Sequence, residues 1–269
     1  MFKLLPFVAT ILALASTVLS TGLLVPLYSW PGTDAWNTIY DTIAAHPSVP
    51  FHLIINPSTG PGATEYPDSA FITAIETLNT YSNAKVLGYT YTEHGTRARA
   101  DVEKEIAAYA NWSSYTAKNI RLSGIFFDQA PNGGDPSKLA YFQHLSQTTK
   151  SSGLDIVVFN PGVKIVSDVA AWFKAADLIV ECENTYANWV ALAPTEHFST
   201  PDNYGKDAMI LNQTPEDVNI DTVVKLAKDM GLGAVYLTHD GDYMSLTTVP
   251  KVAVAVAQSR RAGRKRHGR

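Results

Sequence analysis

From Gly22 onward the chain repeats one pattern: a short apolar run, a polar or Gly/Pro-bearing loop, then an amphipathic helical segment. The apolar runs cover 22–28, 50–56, 84–91, 122–128, 154–160, 177–183, 207–212 and 233–238. Helices are expected from Thr33-Asp34 to Ala45, Asp68 to Tyr81, Arg97 to Lys118, Pro136 to Lys150 and Ser167 to Ala175. A short segment follows around Ala187 to Leu192, then a helix from Val218 to Met230 started by Thr214-Pro215-Glu216, and a last one from Leu246 to Gln258. Eight strand–helix repeats in a chain of this size predict an α/β fold, a single (β/α)8 barrel. A doubly wound sheet is disfavoured, because no Gly-x-Gly-x-x-Gly follows the first run and the count closes at eight.

With 269 residues, 46 % of them hydrophobic, the chain has ample material for one large core. No linker-like stretch interrupts 21–258, which is therefore taken as one domain. Residues 1–20 differ: Lys3 precedes a nearly uncharged run from Leu4 to Val18, with small residues at Ala13-Leu14-Ala15 and Val18-Leu19-Ser20. That run is short for a bilayer span and reads as a cleaved secretory signal peptide, giving a secreted protein with no membrane attachment. Asn111-Trp-Ser and Asn212-Gln-Thr are glycosylation sequons compatible with that route. The lone Cys182 allows no intramolecular disulfide and sits in an apolar run as an inert thiol.

The net charge of −4 conceals a basic tail, 259–269, expected to be disordered, whose six arginines and lysines face no acid; without them the body stands at −10. An acidic body excludes a nucleic-acid protein and favours a neutral or cationic ligand. A monomer is expected.

In a barrel of this kind the strand C-termini gather on one face. Those ends carry Tyr28, Trp30, Asn56, Tyr89, Tyr91, Asp128, Gln129, Asn160, Glu181, Glu183, Asn212 and His239. Amides, acids and aromatic rings in one place suit a polyhydroxylated ligand. Asp128 ends the run Ile125-Phe126-Phe127 just before a turn, where it serves either as a cap or as a catalyst. Glu181 and Glu183 should share a strand face, with Cys182 on the other. Glu183 is the strand-six candidate for chemistry, and Glu181, lying deeper, reads as a structural acid. Asp128 and Glu183 lie two strands apart, compatible with either a retaining or an inverting glycosidase pair. No metal or other cofactor is expected: there is no His-x-His, no His-Glu-x-x-His and no cysteine cluster. Gly-x-Ser-x-Gly is also missing.

Several segments in order, Gly22-Leu-Leu-Val-Pro-Leu-Tyr28, Ile55-Asn-Pro57, Leu87-Gly-Tyr89, Gly124-Ile-Phe-Phe-Asp128, Phe159-Asn-Pro-Gly162 and Glu183-Asn184, resemble the spherulin-4-like family. The resemblance implies a secreted (β/α)8 enzyme of glycoside hydrolase family 135, acting on α-1,4-linked N-acetylgalactosamine in galactosaminogalactan. It also implies a cell-wall or spore-coat setting. Carried over, the family's site falls on Asp128 and Glu183, with Asp128 as nucleophile and Glu183 as acid/base. Tyr28, Trp30, Asn56, Tyr89, Tyr91, Gln129, Asn160, Glu181 and His239 are the candidate substrate contacts. The family usually has glutamate after the aspartate, where this chain has Gln129. If that position supplies the proton, a non-catalytic carbohydrate-binding or coat protein is the alternative. A partly deacetylated galactosamine polymer would be cationic, in keeping with the acidic body.

Overall fold

Eight largely apolar runs form strands that close on themselves. They are β1 (Gly22–Leu27), β2 (Phe51–Ile55), β3 (Ala84–Tyr91), β4 (Gly124–Asp128), β5 (Ile156–Asn160), β6 (Leu178–Thr185), β7 (Asp207–Asn212) and β8 (Ala234–Leu237). Each pairs in parallel with its sequence neighbours, and β1 pairs with β8 to complete the barrel. Eight helices cover the outside: α1 (Asn37–Ala45), α2 (Ser69–Leu78), α3 (Arg99–Asn111), α4 (Pro136–Ser151), α5 (Val169–Ala175), α6 (Tyr186–Val190), α7 (Ile220–Asp229) and α8 (Val249–Arg266). This computed structural model describes residues 21–32, 34–199 and 205–266. The expected signal peptide, 1–20, and Thr33 at the expected start of the first helix lie outside the described residues.

Strand alternation sorts the aromatic residues into two environments. Phe126 points into the barrel and stacks on Tyr89, while Phe127 and Phe159 point outward. There they meet Phe142 of α4 and Trp172 of α5, at ring separations between 4.9 and 6.5 Å. All of these rings except Tyr89 are essentially sealed from solvent. Such a cluster fixes β4 and β5, the strands that carry Asp128 and Asn160, against their helices. Truncating one of its phenylalanines to alanine typically costs ~3–5 kcal/mol.

The expected helix boundaries need three corrections. Helix α7 starts at Ile220, capped by the Asn219 side chain on the Thr222 amide, and not at Thr214-Pro215-Glu216. Thr214 is buried with its N–H bonded to the Thr238 carbonyl, so this segment is tied to the end of β8 as a turn. Helix α3 stops at Asn111 well short of Lys118, because the Trp112 indole drops into the core against Tyr109 and turns the chain. Helix α8 continues to Arg266, so most of the tail expected to be disordered extends the last helix. Among the described residues no helix is long and apolar enough to cross a membrane.

Candidate active site

The central cluster sits at the C-terminal mouth of the barrel and is built around one amide. Asn160, the last residue of β5, is buried, and its Nδ2 donates to Asp128 Oδ1 at 2.8 Å and to Glu183 Oε2 at 2.6 Å. Those two oxygens therefore lie no more than about 5.4 Å apart, which is short of the ~6.5 Å or more of an inverting pair. Tyr89 Oη donates to the other oxygen of Asp128 at 2.7 Å. Tyr243 Oη donates to Glu183 Oε1 at 2.8 Å and accepts from Asn212 Nδ2 at 2.8 Å. Tyr28 stands edge-on to both phenols, 5.8 Å from the Tyr89 ring and 6.4 Å from that of Tyr243.

The surroundings act on the titration of Glu183. Burial raises the Glu183 carboxyl above the ordinary glutamate range, and the charge of Asp128 adds to that. The hydrogen bonds from Asn160 and Tyr243 pull the other way. Tyr28, Tyr89 and Tyr243 are all pushed well up, first by burial and then by the charge of the nearest carboxylate. All three phenols therefore stay protonated, presenting O–H groups around the acids. The arrangement can hold one ionised carboxylate beside one protonated carboxyl, which is what general acid catalysis with a nucleophilic partner needs.

Of the residues expected at the mouth, Asp128, Glu183, Asn160, Tyr89 and Tyr28 come together. Asn212 joins them through Tyr243, and the others do not. Tyr91 lies at the rim beneath the Arg97 guanidinium, which is 5.6 Å from its ring centre. Asn56 accepts the Gly60 N–H at 2.9 Å and so shapes the β2–α2 loop. His239 Nδ1 bonds the Thr214 carbonyl at 2.6 Å. Trp30 packs over Gly32 and remains 60 % exposed. Gln129 presents its side chain to solvent from a left-handed backbone (φ 53°), while its carbonyl accepts from the His94 N–H and the Thr92 hydroxyl.

Glu181 is corrected outright as a substrate contact. A β-bulge between Val180 and Cys182 breaks the alternation, so Glu181 and Glu183 do not share a face. Glu181 is 1 % exposed and accepts the Ile165 N–H at 2.7 Å and the Ser199 N–H at 2.8 Å. Its neighbour Asp207 is pushed up to about 9, by burial first and then by its hydrogen bond to Glu181. Asn212 is likewise corrected as a glycan acceptor: its Nδ2 is held by Tyr243, and its Oδ1 is buried. Asn111, at the end of α3, is exposed.

Two contributors escaped the sequence reading. Thr92 is fully buried and hydrogen-bonds the Asp128 and Gln129 carbonyls, fastening the end of β4. Tyr243 lies in the loop after β8, at a positive φ of 60°, with no strand pattern to announce it. Its role is open to a direct check. Tyr243→Phe removes a donor that favours the charged form of Glu183, so the alkaline limb of the activity profile should move to higher pH. Activity near neutrality should fall about 10- to 100-fold, the value of a hydrogen bond to a charged group. An unchanged pH–rate profile would assign Tyr243 to packing alone.

The chain is similar to known proteins over most of its length. Residues 22–257 match spherulation-specific family 4. Over 224 residues the chain is 32 % identical to Spherulin-4 of Physarum polycephalum, covering 80 % of this chain and 62 % of that longer relative. The crystal structure of Aspergillus clavatus Sph3 in complex with GalNAc superposes with a TM-score of 0.77 at 28 % identity, over 88 % of this chain and 98 % of that one. An endo-beta-1,4-mannanase from Thermotoga petrophila shares the fold alone, at a TM-score of 0.54 and 8 % identity over 90 % of this chain and 76 % of its own. Matched from its first strand into its last helix, the chain belongs to spherulation-specific family 4.

Proposed function

We propose that the chain is a secreted glycoside hydrolase that cleaves α-1,4-linked N-acetylgalactosamine in a galactosaminogalactan-like wall polysaccharide, with retention at the anomeric carbon. The observation that carries this reading is the Asn160 amide spanning Asp128 and Glu183 at the barrel mouth. The GalNAc bound by the related Sph3 supports the choice of sugar. The acidic body suits a polymer made cationic by partial deacetylation.

In the first step Glu183 gives its proton to the glycosidic oxygen as an Asp128 oxygen attacks the anomeric carbon. The C–O bond to the leaving sugar breaks, and a glycosyl ester forms on Asp128. Glu183, now a carboxylate, takes a proton from water as that water attacks the same carbon. The ester then breaks and both carboxyl groups return to their starting states. Burial raises the Glu183 carboxyl above the ordinary glutamate range, which favours its protonated form. Tyr89 and Asn160 hold Asp128 in place through its two oxygens. On this route the leader 1–20 is removed on export, Asn111 is the sequon exposed enough to carry a glycan, and the basic residues after Ser259 supply charge suited to anionic wall components.

The second reading, a binding or coat protein without turnover, is favoured by Gln129 standing next to Asp128 where the family resemblance implies glutamate. The exposure of that side chain argues for a role at the edge of the substrate. Protein recovered from the medium of an expressing host should lack the leader and release reducing ends from galactosaminogalactan. Gln129→Glu should change that rate by less than about tenfold, as expected for a group that binds and does not transfer the proton. If the native chain binds polymer without cleaving it, and Gln129→Glu alone confers cleavage, the binding-protein reading holds. Cleavage of another polysaccharide in a small panel would redirect the substrate.

A further inference from the structure

The β1–α1 loop carries an aromatic side chain that the catalytic cluster does not use. Of the five tryptophans, Trp36, Trp112, Trp172 and Trp189 are at most 4 % exposed, whereas Trp30 is 60 % exposed. An edge of the Trp30 ring packs against Gly32, where an added Cβ would fall 1.9 Å from ring atom Cζ3 and 2.2 Å from Cε3. The Gly32 backbone lies outside the left-handed region, so glycine is needed here for room and not for φ. The loop beneath is pinned, since Trp36 Nε1 donates to both the Ser29 carbonyl and its hydroxyl at 3.2 Å. A seated, fixed and exposed indole is an expensive way to leave apolar area in water unless something covers it.

Beside the indole, a groove of about 530 Å³ runs between α1 and α2. Its walls include Asn37, Tyr40, Asp68, Thr73 and Thr77. Asn37 is oriented by a 2.7 Å hydrogen bond to Asp34, and Asp68 caps α2 through the Ala70 N–H. A flat ring next to hydroxyl, amide and carboxylate groups matches a pyranose, whose C–H face stacks while its hydroxyls meet the polar wall. Among the described residues no lysine or arginine lines the groove, although Lys118 reaches the Thr73 hydroxyl at 3.5 Å from outside it, and the two aspartates favour an amino sugar. Trp30 follows Tyr28 by two residues, so their Cα atoms are at most about 7 Å apart. A polymer leaving the mouth on this side therefore reaches the ring within a few sugar units.

We propose that Trp30 and the α1–α2 groove form a second carbohydrate site, separate from the catalytic mouth, that holds pyranose units of the same polysaccharide. The identity of the sugar rests on the proposed function, whereas the existence of the site rests on the groove and the indole.

Iodide quenching of intrinsic fluorescence isolates this residue, because it is the one tryptophan open to the quencher. In the Asp128→Asn protein, which leaves the polymer intact, galactosaminogalactan should lower the quenching constant about twofold or more, as expected when a stacked sugar covers the indole. Trp30→Ala in that background should lose the quenchable component and bind the polymer about three- to tenfold more weakly in affinity electrophoresis, the range of one aromatic stacking contact. Gly32→Val should give the same loss with the tryptophan still present. Unchanged quenching with bound polymer, or equal affinity of Trp30→Ala and its parent, would overturn the site. Failure of the catalytic reading looks different: no reducing ends appear from the native chain, yet polymer binding still depends on Trp30.

Discussion

Asp128→Asn should lower reducing-end release by about 10⁴-fold or more, with the fold intact, since it deletes the nucleophile and little else. Asparagine keeps the shape of the side chain, and its carbonyl still accepts from Tyr89 or Asn160, the two donors that hold Asp128 now. One of those donors must then face an amide N–H, a local cost of about 1–3 kcal/mol. Set against it is the relief of Glu183, whose carboxyl is raised in part by the charge of Asp128 and should drop when that charge is removed. The melting temperature should therefore move little while activity collapses. Glu183→Gln should cost about 10²–10⁴-fold on the polymer, the usual range for a general acid. It should cost far less for the first step on an aryl glycoside, whose leaving group needs no proton. If Asp128→Asn keeps substantial activity, or if Glu183→Gln is equally crippled on both substrates, the roles are misassigned.

Stability should fall as pH rises from about 4 to about 9, through Asp207. Its carboxyl, buried against Glu181, is raised from an ordinary value of 3.8 to about 9 in the folded chain. Below pH 4 the proton is bound in both states and nothing is lost. Between the two values the unfolded chain releases it while the folded chain keeps it, so stability declines with pH. The slope for one proton is about 1.4 kcal/mol per pH unit. For a domain of this size that is roughly 3–6 °C of melting temperature per unit. Asp207→Asn can still donate to Glu181 but carries no titrating proton, so its melting curve should be flatter across the same window. Parallel pH dependence in the two proteins would mean that Asp207 is already ionised in the fold. The effect bears on function because Glu181, two residues before Glu183 on β6, anchors the Ile165 amide of the β5–α5 loop and the Ser199 amide between α6 and β7.

The fold was legible because buried parallel strands are written as apolar runs, and eight of them with helices between leave few other architectures. Asp128, Asn160 and Glu183 were legible for the same reason, as polar residues where such runs end. Glu181 misled because an alternation rule assumes a regular strand, and one bulged residue turns it to the opposite side. Tyr243 was invisible because it enters the mouth from a loop, where no periodicity says which way a side chain points. Asn212 matched a glycosylation pattern, yet its amide was already committed inside the cluster. Short patterns report residue type and spacing, and neither reveals a tertiary partner.

The pairing along the barrel wall is uneven. Strands β4 and β5 run side by side from Gly124↔Ile156 to Asp128↔Asn160, but β5 meets β6 at Val158↔Leu178 and Phe159↔Ile179, and β1 meets β8 at Gly22↔Ala234 and Leu23↔Val235. These two thin seams divide the wall into an arc of five strands bearing Asp128 and an arc of three bearing Glu183. In hydrogen-exchange terms the arcs are candidate cooperative units, and amides flanking the seams should exchange sooner than those of β3 and β4. The Asn160 side chain crosses one of these seams. It therefore acts as a cross-tie between two halves of the wall, and opening there would change the carboxylate separation before any other part of the mouth was disturbed.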